Sequence, residues 1–171
     1  MAMSEWTLST EVKESFSPVA DEHARVLILG TMPGEESLRR QEYYANPRNR
    51  FWKLIVAIFN EELPVSYKER KKLLLKHRIA IWDVAEEAER EGSLDSTIRN
   101  ERPHDLERFL DKHKRVVLVC FNGQKAAALH DKYFSRRQGV RYKTLPSTSP
   151  ANAAIGWREL LNSWSLVKIE G

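Results

Sequence analysis

Four short, mainly apolar runs separated by helical patterns constrain the fold more than any other feature of this sequence. The runs are VLILG at 26–30, IAIWDV at 79–84, VVLVCFN at 116–122 and YKTLP at 142–146. Continuous apolar runs of this length are typical of strands that are buried on both faces, as in a parallel sheet. The sequence therefore predicts a central sheet of four mainly parallel strands.

Helical patterns separate the predicted strands. Asn46 as N-cap and Pro47 at the first helical position predict a helix that runs to about Asn60. Its apolar residues recur at helical spacing: Phe51, Leu54, Ile55, Ile58 and Phe59. Further helices are predicted at 66–77, 104–114 and 123–134, and a last one from Pro150 onward, with apolar Trp157, Leu160, Leu161 and Trp164. This alternation predicts an α/β fold, a three-layer α/β/α sandwich.

Length and composition fit one globular domain. The chain has 171 residues, of which 42% are hydrophobic and 30% charged, and this balance excludes a disordered chain. We expect a single domain over residues 1–171, in which residues 1–24 form an N-terminal extension that packs on the core. No apolar run approaches the roughly 20 residues of a membrane span, and the N-terminus lacks the apolar core of a signal peptide. We therefore expect a cytoplasmic protein, associated with the nucleoid in a prokaryotic cell, and no membrane contact.

Cysteine and histidine usage argues against a disulfide and against the common kinds of metal site. Cys120 is the only cysteine, which excludes an internal disulfide, a Cys-rich zinc site and a four-thiolate iron-sulfur cluster. The five histidines show no pair at metal-binding spacing. With 28 basic against 24 acidic residues, the net charge of +4 permits a polyanionic partner.

Each unusual loop follows the carboxyl end of a predicted strand. The four loops are TMPG with YYANPRN, AEEAEREGSLDSTIRN, NGQK and STSPAN, in the order of the strands. In open parallel sheets, ligands bind outside the carboxyl ends of the strands. The four loops are therefore expected to converge on one cleft.

The segment YYANPRNRFW at 43–52 places aromatic rings beside two amides. Asn49 is expected in the first helical turn, where its amide either holds a water molecule or caps the turn. Tyr43 and Tyr44 alternate in direction, so at most one is expected to face the cleft, where a ring can stack on a flat heterocycle. Asn122, in the Asn-Gly turn after the third strand, either serves that turn or pairs with the edge of a nucleobase.

Other loop residues also have both a structural and a binding interpretation. GTMPG at 30–34 is a Pro-Gly turn whose small residues let backbone N–H groups approach a ligand. In LPSTSPANA at 145–153, Ser149 and Pro150 predict the start of the last helix, and hydroxyls there also suit phosphate. The Glu-rich run at 86–91 predicts a solvated helix or loop. Asp83 either builds the floor of the cleft or merely ends its strand.

Basic residues divide into two groups by their expected place in the sheet. Those before the fourth strand should lie at the amino edge, away from the cleft, as a solvated face: Arg136, Arg137, Arg141 and Lys143. Those in the cleft-side loops are better candidates for contacts with backbone phosphates: Arg39, Arg40, Arg48, Arg50, Arg99, Arg102 and Lys125.

Taken in order, these segments resemble the uracil-DNA glycosylase superfamily, and most closely its hypoxanthine-DNA glycosylase branch. The resemblance is carried by LILGTMPG, YYANPRNRFW, AIWDV with EREGSLDS, FNG with the small-residue helix after it, and LPSTSPANA. It implies a monofunctional enzyme that flips a deaminated base, hypoxanthine above all, out of double-stranded DNA. The enzyme would then hydrolyse the N-glycosidic bond and leave an abasic site, because no lysine in these motifs offers an evident Schiff-base nucleophile. The resemblance also implies that this reaction needs no metal or other cofactor.

The resemblance also implies which residues surround the base. Related mismatch-specific enzymes carry a water-orienting asparagine at the position of Met32, and methionine cannot hold water. Asn49 is therefore implied to be the catalytic residue that positions the attacking water. Tyr44 matches the ring that stacks on the base, and Asn122 matches an amide that faces it. Thr31 and Met32 belong to the same base-binding loop.

On the DNA side, the resemblance implies that the LPSTSP segment pinches the DNA backbone. Its candidate contacts are Ser147, Thr148 and Ser149, with Lys125 and Arg48 as further DNA-binding residues. The segment lacks a histidine that some relatives carry there, which argues against a highly efficient uracil enzyme.

Two alternatives remain open at this stage. A uracil or thymine mismatch glycosylase of the same fold would differ mainly in the base it releases. A noncatalytic nucleic-acid-binding module would keep the cleft without the water-positioning amide. For the glycosylase interpretation the expected partner is double-stranded DNA that contains a damaged base, and we expect a monomer without an obligate protein partner.

Overall fold

Seven strands form two sheets in the computed structural model, which describes residues 11–169. The strands are β1 Val12–Glu14, β2 Val26–Gly30, β3 Ile79–Asp83, β4 Ala85–Glu89, β5 Arg99–Pro103, β6 Leu118–Asn122 and β7 Arg141–Leu145. The larger sheet has the order β3-β2-β6-β7, and all its pairings are parallel. The predicted four-stranded parallel sheet is therefore confirmed, with strand bounds within two residues of those expected.

Six helices accompany the sheets. They are α1 Glu35–Arg40, α2 Phe51–Phe59, α3 Tyr67–Lys76, α4 Leu106–Lys112, α5 Gln124–Tyr133 and α6 Trp157–Trp164. Short 3-10 turns occur at Asp95–Thr97, Pro150–Asn152 and Ser165–Val167. Among the described residues, no helix is long and apolar enough to cross a membrane.

Alternate residues of each central strand enter two separate cores. Val26 and Ile28 of β2 pack with residues of α2, α3 and α6, whereas Leu27 and Leu29 pack with residues of α4 and α5. This division follows from the two-residue period of a strand, which directs successive side chains to opposite faces. Helices therefore cover both faces of the parallel sheet, and the predicted α/β/α sandwich is confirmed.

A small antiparallel sheet, with the order β1-β4-β5, was not predicted. The expectation of a solvated helix or loop at 86–91 is wrong, because most of that run belongs to β4. Ala85 and Ala88 are buried in a cluster with Met32 and Ile98. Contacts made across the fold thus outweigh the weak strand propensity of alanine and glutamate.

The described part of the N-terminal segment packs against the edge of the main sheet. Val19 forms an antiparallel bridge with Ile81 of β3, with N···O distances of 3.0 and 2.9 Å. Strand β1 pairs in turn with β4. Residues 1–10 lie outside the described residues, so packing of the whole extension over 1–24 stays a prediction.

Two predicted helix starts are wrong. Helix α2 begins at Phe51 because Asn46 instead forms a tight turn, accepting from Arg48 N through Oδ1 and from Asn49 N through its carbonyl, both at 2.9 Å. Asn49 consequently lies before the helix and not in its first turn. The last helix begins at Trp157, whose side chain is 41% exposed.

Ser149 and Pro150 begin a separate 3-10 turn, in which Ser149 Oγ accepts from Ala151 N at 3.2 Å. The predicted cap is thus present, but it starts a shorter element than the last helix. This short turn keeps the loop after β7 close to the end of the sheet.

Replacing Leu54 by alanine should lower the free energy of unfolding by about 2–5 kcal/mol, because the fully buried side chain leaves a cavity between α2 and the sheet. Urea unfolding followed by circular dichroism would measure the change. Lys53→Ala, at the neighbouring exposed position, should change stability by less than about 0.5 kcal/mol. Equal effects of the two substitutions would contradict this packing.

Candidate functional site

A cavity of about 110 Å³ lies at the carboxyl ends of the parallel strands. The loops predicted to converge there do so, and they supply most of its wall: Gly30 to Ser37, Tyr43, Tyr44, Asn46, Asn49, Asp83, Arg90, Ser93, Asp95, Asn122 and Ser147 to Pro150. The polar side chains of this wall fall into two classes. Some are hydrogen-bonded within the protein, and a few retain atoms that a ligand can use.

Tyr44 presents a supported aromatic ring to the cavity. Its ring stacks on Phe51, with centroids 3.9 Å apart and an angle of 22° between the planes. Tyr44 adopts a left-handed backbone conformation, with φ of 55°. Tyr43 is buried in the core but also contributes to the cavity wall, contrary to the expectation that only one tyrosine would do so.

Asn49 brings a carboxamide to the cavity from the turn before α2. Its Oδ1 accepts from Phe51 N at 2.9 Å, which identifies the oxygen end of the amide. No described residue accepts a hydrogen bond from Nδ2. The two interpretations left open by the sequence are therefore compatible, because one end of the amide supports the helix start while the other remains available.

Asn122 is tied to Thr148 by a pair of hydrogen bonds. Its Oδ1 accepts from Thr148 N and its Nδ2 donates to Thr148 Oγ1, both at 3.0 Å, and Nδ2 also approaches the Tyr44 hydroxyl at 3.4 Å. The pair joins the end of β6 to the loop after β7. Thr148 is fully buried, so its hydroxyl is not exposed to DNA, whereas Ser147 and Ser149 are half-buried.

The loop after β2 is held by a buried guanidinium that the sequence analysis missed. Arg90, 5% exposed, donates to the carbonyls of Met32 and Pro33 at 3.0 and 3.1 Å. It also donates to Asp95 Oδ1 at 2.8 Å, and the same oxygen accepts from Thr31 Oγ1 at 2.8 Å. The hydroxyl of Thr31 is thus engaged with Asp95, and its carbonyl accepts from Ala85 N at 3.2 Å. No local signal marks Arg90, because it sits in a run of charged residues.

Asp83 belongs to the cavity wall, which answers the question that the sequence left open. Its side chain is buried, and its Oδ2 accepts from Ser15 Oγ at 2.7 Å. Burial raises the pKa of Asp83 to about 7, against the opposing effect of the Ser15 hydrogen bond. A Cβ atom at Gly30 would lie 2.8 Å from Asp83 Oδ1, so only glycine allows the carboxyl group this place. Ser15 was likewise missed by the sequence analysis.

Several arginines predicted to contact phosphates have protein partners instead. Arg50 donates to the carbonyls of Ile155 and Asn152 at 2.8 and 3.0 Å. Arg39 and Arg40 pair with Glu36, and Arg102 pairs with Glu86 and Glu87. Among the cleft-side candidates, Arg48 is exposed without an ion pair to any described residue, and Lys125 is half-buried in the first turn of α5.

The basic residues at the opposite edge of the sheet are partly neutralised. Arg136 pairs with Asp131 at 3.1 Å, and Arg137 pairs with Asp111 at 2.9 Å. Within residues 11–169, no group of three or more His, Cys, Asp or Glu side chains is placed to hold a metal ion.

Comparison with known proteins places this geometry in context. The sequence model of the family described as "Uracil DNA glycosylase superfamily" matches residues 17–170. A protein named hypoxanthine DNA glycosylase from Methanosarcina acetivorans is 40% identical over 142 residues, which cover 82% of this chain and 89% of the relative. A protein of the same name from Methanosarcina barkeri is 37% identical over 154 residues, which cover 86% of this chain and 96% of the relative.

A solved structure shows the same fold. The solution NMR structure of a candidate uracil DNA glycosylase from Methanosarcina acetivorans superposes with a TM-score of 0.81 at 37% sequence identity. The match covers 92% of this chain and 96% of that one.

Replacing Arg90 by methionine should lower the free energy of unfolding by about 3 kcal/mol, because buried carbonyls and the Asp95 carboxylate lose their donor. Chemical denaturation would measure the loss. Arg99→Met, which changes an exposed arginine of β5, is the matched control and should have little effect. If both variants unfolded at the wild-type denaturant concentration, Arg90 would not hold the loop.

Proposed function

Because the chain belongs to the uracil DNA glycosylase superfamily, we propose that it is a DNA repair glycosylase that excises hypoxanthine and leaves an abasic site. The observation that carries the proposal is the cavity at the carboxyl ends of the strands, which combines a supported aromatic ring with an available amide. Hypoxanthine is the base named in the relatives that are 37–40% identical over most of the chain.

Base binding would rest on Tyr44 and the loop after β2. Flipping a base out of the duplex costs a few kcal/mol of unpairing and unstacking free energy. The cost is lower for a poorly paired base such as hypoxanthine. The Tyr44 ring, backed on one face by Phe51, would stack on the flipped base. Asn122 would face the polar edge of the base. Its Oδ1 accepts one hydrogen bond from Thr148 N, and the second lone pair of this oxygen could accept a hydrogen bond from the base. The backbone of Thr31 and the side chain of Met32 would line the base.

Asn49 would supply the catalytic amide. Its Nδ2 would hold a water molecule beneath C1′ while the glycosidic bond breaks, and Phe51 N keeps the amide in one orientation. Met32, buried against Ala85 and Ala88, cannot perform this task. Positioning and electrostatic stabilisation of the departing base would provide most of the acceleration. No lysine belongs to the described cavity wall, which favours hydrolysis over a lysine-bound intermediate.

The DNA backbone would be held around the mouth of the cavity. Arg48 and Lys125 are the basic candidates, and Ser147 and Ser149 supply half-buried hydroxyls in the cavity wall. Thr148 would act indirectly, since its hydroxyl is engaged with Asn122. A double-stranded DNA substrate would place the protein in the cytoplasm, at the nucleoid in a prokaryotic cell, where it could act as a monomer.

The proposed activity is tested by incubating the protein with duplexes that contain hypoxanthine, uracil, thymine mismatches or xanthine, followed by alkaline cleavage of abasic sites. Hypoxanthine should be released fastest. Asn49→Ser should reduce its release by about 100-fold, because serine can still accept from Phe51 N but lacks the amide.

Asn162→Ala, which alters an exposed amide on α6, serves as the control and should keep wild-type release. Wild-type release by Asn49→Ser would remove Asn49 from catalysis. Binding without any abasic product from wild type would instead favour a noncatalytic module, and faster release of uracil or thymine would favour a mismatch enzyme.

Arg48→Ala should weaken binding to undamaged and damaged duplexes alike, and should reduce the slope of log affinity against log salt by about 0.9, the loss of one phosphate contact. Fluorescence anisotropy at several salt concentrations would measure the slope. Arg137→Ala, at an arginine that pairs with Asp111, should leave the slope unchanged. An unchanged slope for Arg48→Ala would show that this arginine does not contact phosphate.

A further inference from the structure

Asp83 lies in the cavity wall and is hydrogen-bonded to Ser15, and the roles proposed above use neither residue. The two oxygens of the Asp83 carboxyl group differ in their surroundings. Oδ2 accepts from Ser15 Oγ at 2.7 Å, whereas Oδ1 accepts no hydrogen bond from any described residue. Oδ1 lies against the backbone of Gly30, at the start of the loop that borders the cavity.

This asymmetry determines where a proton on Asp83 would reside. A neutral carboxylic acid has one carbonyl oxygen, which accepts, and one hydroxyl oxygen, which donates. When the Ser15 hydroxyl donates to Oδ2, that oxygen acts as the carbonyl, and the proton of the neutral acid then lies on Oδ1. The neutral acid therefore presents a hydroxyl donor on the side of the cavity.

We propose that Asp83 in its neutral form donates a hydrogen bond from Oδ1 to a keto oxygen or ring nitrogen of the flipped base, and that Ser15 is the positioning residue that keeps the proton on Oδ1. This inference rests on the proposed glycosylase function and deepens it. Deamination replaces an amino donor with a keto acceptor, so a donor in the wall favours deaminated bases. An ionised Asp83 would offer only acceptors and would repel the keto oxygen.

The groups around Asp83 favour the neutral acid. Burial, the largest cause, raises its pKa to about 7, and the negative charge of Asp95 adds to the rise. The Ser15 hydrogen bond and the positive charge of Arg90 act in the opposite direction. Arg90 makes its ion pair with Asp95, however, and among the described residues Asp83 has no ion-pair partner.

The remaining neighbours do not supply a countercharge. Burial raises the pKa of both Tyr43 and Tyr44, so their phenols are neutral near pH 7. His104 Nδ1 lies 2.9 Å from the main-chain carbonyl of Asp83, and burial lowers the pKa of this imidazole. The buried Tyr43 hydroxyl lies near Ser15 without a well-aligned hydrogen bond to any described residue.

The pH profile of base release provides the main test. Single-turnover release of hypoxanthine from duplex DNA by excess protein should be constant below about pH 7 and should fall about tenfold per pH unit well above it, as Oδ1 loses its proton. Asp83→Asn should stay within about tenfold of wild type at pH 6 and lose the alkaline fall, because its amide keeps a donor that does not titrate. Asp83→Ala should lose about 100-fold throughout.

Two outcomes would overturn the proposal. A wild-type rate of release that stays level or rises between pH 6 and 9 would show that the reaction does not require Asp83 in its neutral form. Equal losses for Asp83→Asn and Asp83→Ala at pH 6 would show that a donor alone does not suffice and that the carboxylate itself is required.

Ser15→Ala tests the positioning role separately. Without the serine hydroxyl, the pKa of Asp83 should rise further, because the hydrogen bond from Ser15 lowers it, and the alkaline fall should move to higher pH. The rate below pH 7 should also drop by about tenfold, because the proton is no longer confined to Oδ1. Ser17→Ala, at an exposed serine on the same segment, should change neither quantity. An unchanged profile for Ser15→Ala would remove Ser15 from the mechanism.

Protein stability provides a readout that does not depend on catalysis. The folded protein binds the Asp83 proton more tightly than the unfolded chain does, with a pKa of about 7 against 3.8. The wild-type free energy of unfolding should therefore fall, relative to that of Asp83→Asn, as the pH rises from about 4 to about 7. If the free energies of unfolding of wild type and Asp83→Asn changed in parallel with pH, Asp83 would not be a neutral acid in the folded protein. If this difference appears but no duplex yields an abasic site, the proposed function is wrong, whereas Asp83 is still a neutral acid in the folded protein.

Discussion

The parallel pairing of β2 with β3 and β6 is the constraint on which the site depends. Parallel strands end at the same edge, and the pairing register sets Gly30 directly beside Asp83. Asn122 ends β6 on the other side and pairs with Leu145 of β7. With neighbouring strands about 4.8 Å apart, four residues from distant parts of the chain lie within about 15 Å. The absence of a side chain at Gly30 then provides the space that the Asp83 carboxyl group occupies.

Polar groups near the strand ends divide into those that build the wall and those that remain for a ligand. Arg90 and the Asn122–Thr148 pair hold the loops after β2, β6 and β7, and buried groups that are fully hydrogen-bonded keep a single arrangement. Asn49 Nδ2 and Asp83 Oδ1 have no partner among the described residues. A rigid wall with a few available polar atoms is the arrangement expected of a site that acts by preorganisation.

Sequence reasoning recovered the sheet, the two helical layers and the convergence of the loops because each depends on local patterning. It also placed Tyr44 and Asn49 at the cleft, since both belong to one short segment of unusual composition. It placed the start of α2 wrongly because Asn46 can cap a helix or close a turn, and the choice depends on how the chain enters the core. It missed Arg90 because a charged run usually faces water, and only packing reveals a buried guanidinium.

The sequence by itself determined the strand and helix order, the cleft at the carboxyl ends and the family resemblance, because apolar periodicity and ordered motifs are written along the chain. Only the tertiary structure decided the identity of the groups that remain available in the cavity. Ser15 and Asp83 are 68 residues apart, and Arg90 reaches carbonyls 57 and 58 residues away. Such pairs, and the burial that changes the protonation of Asp83, arise from the packing of distant segments and leave no local pattern in the sequence.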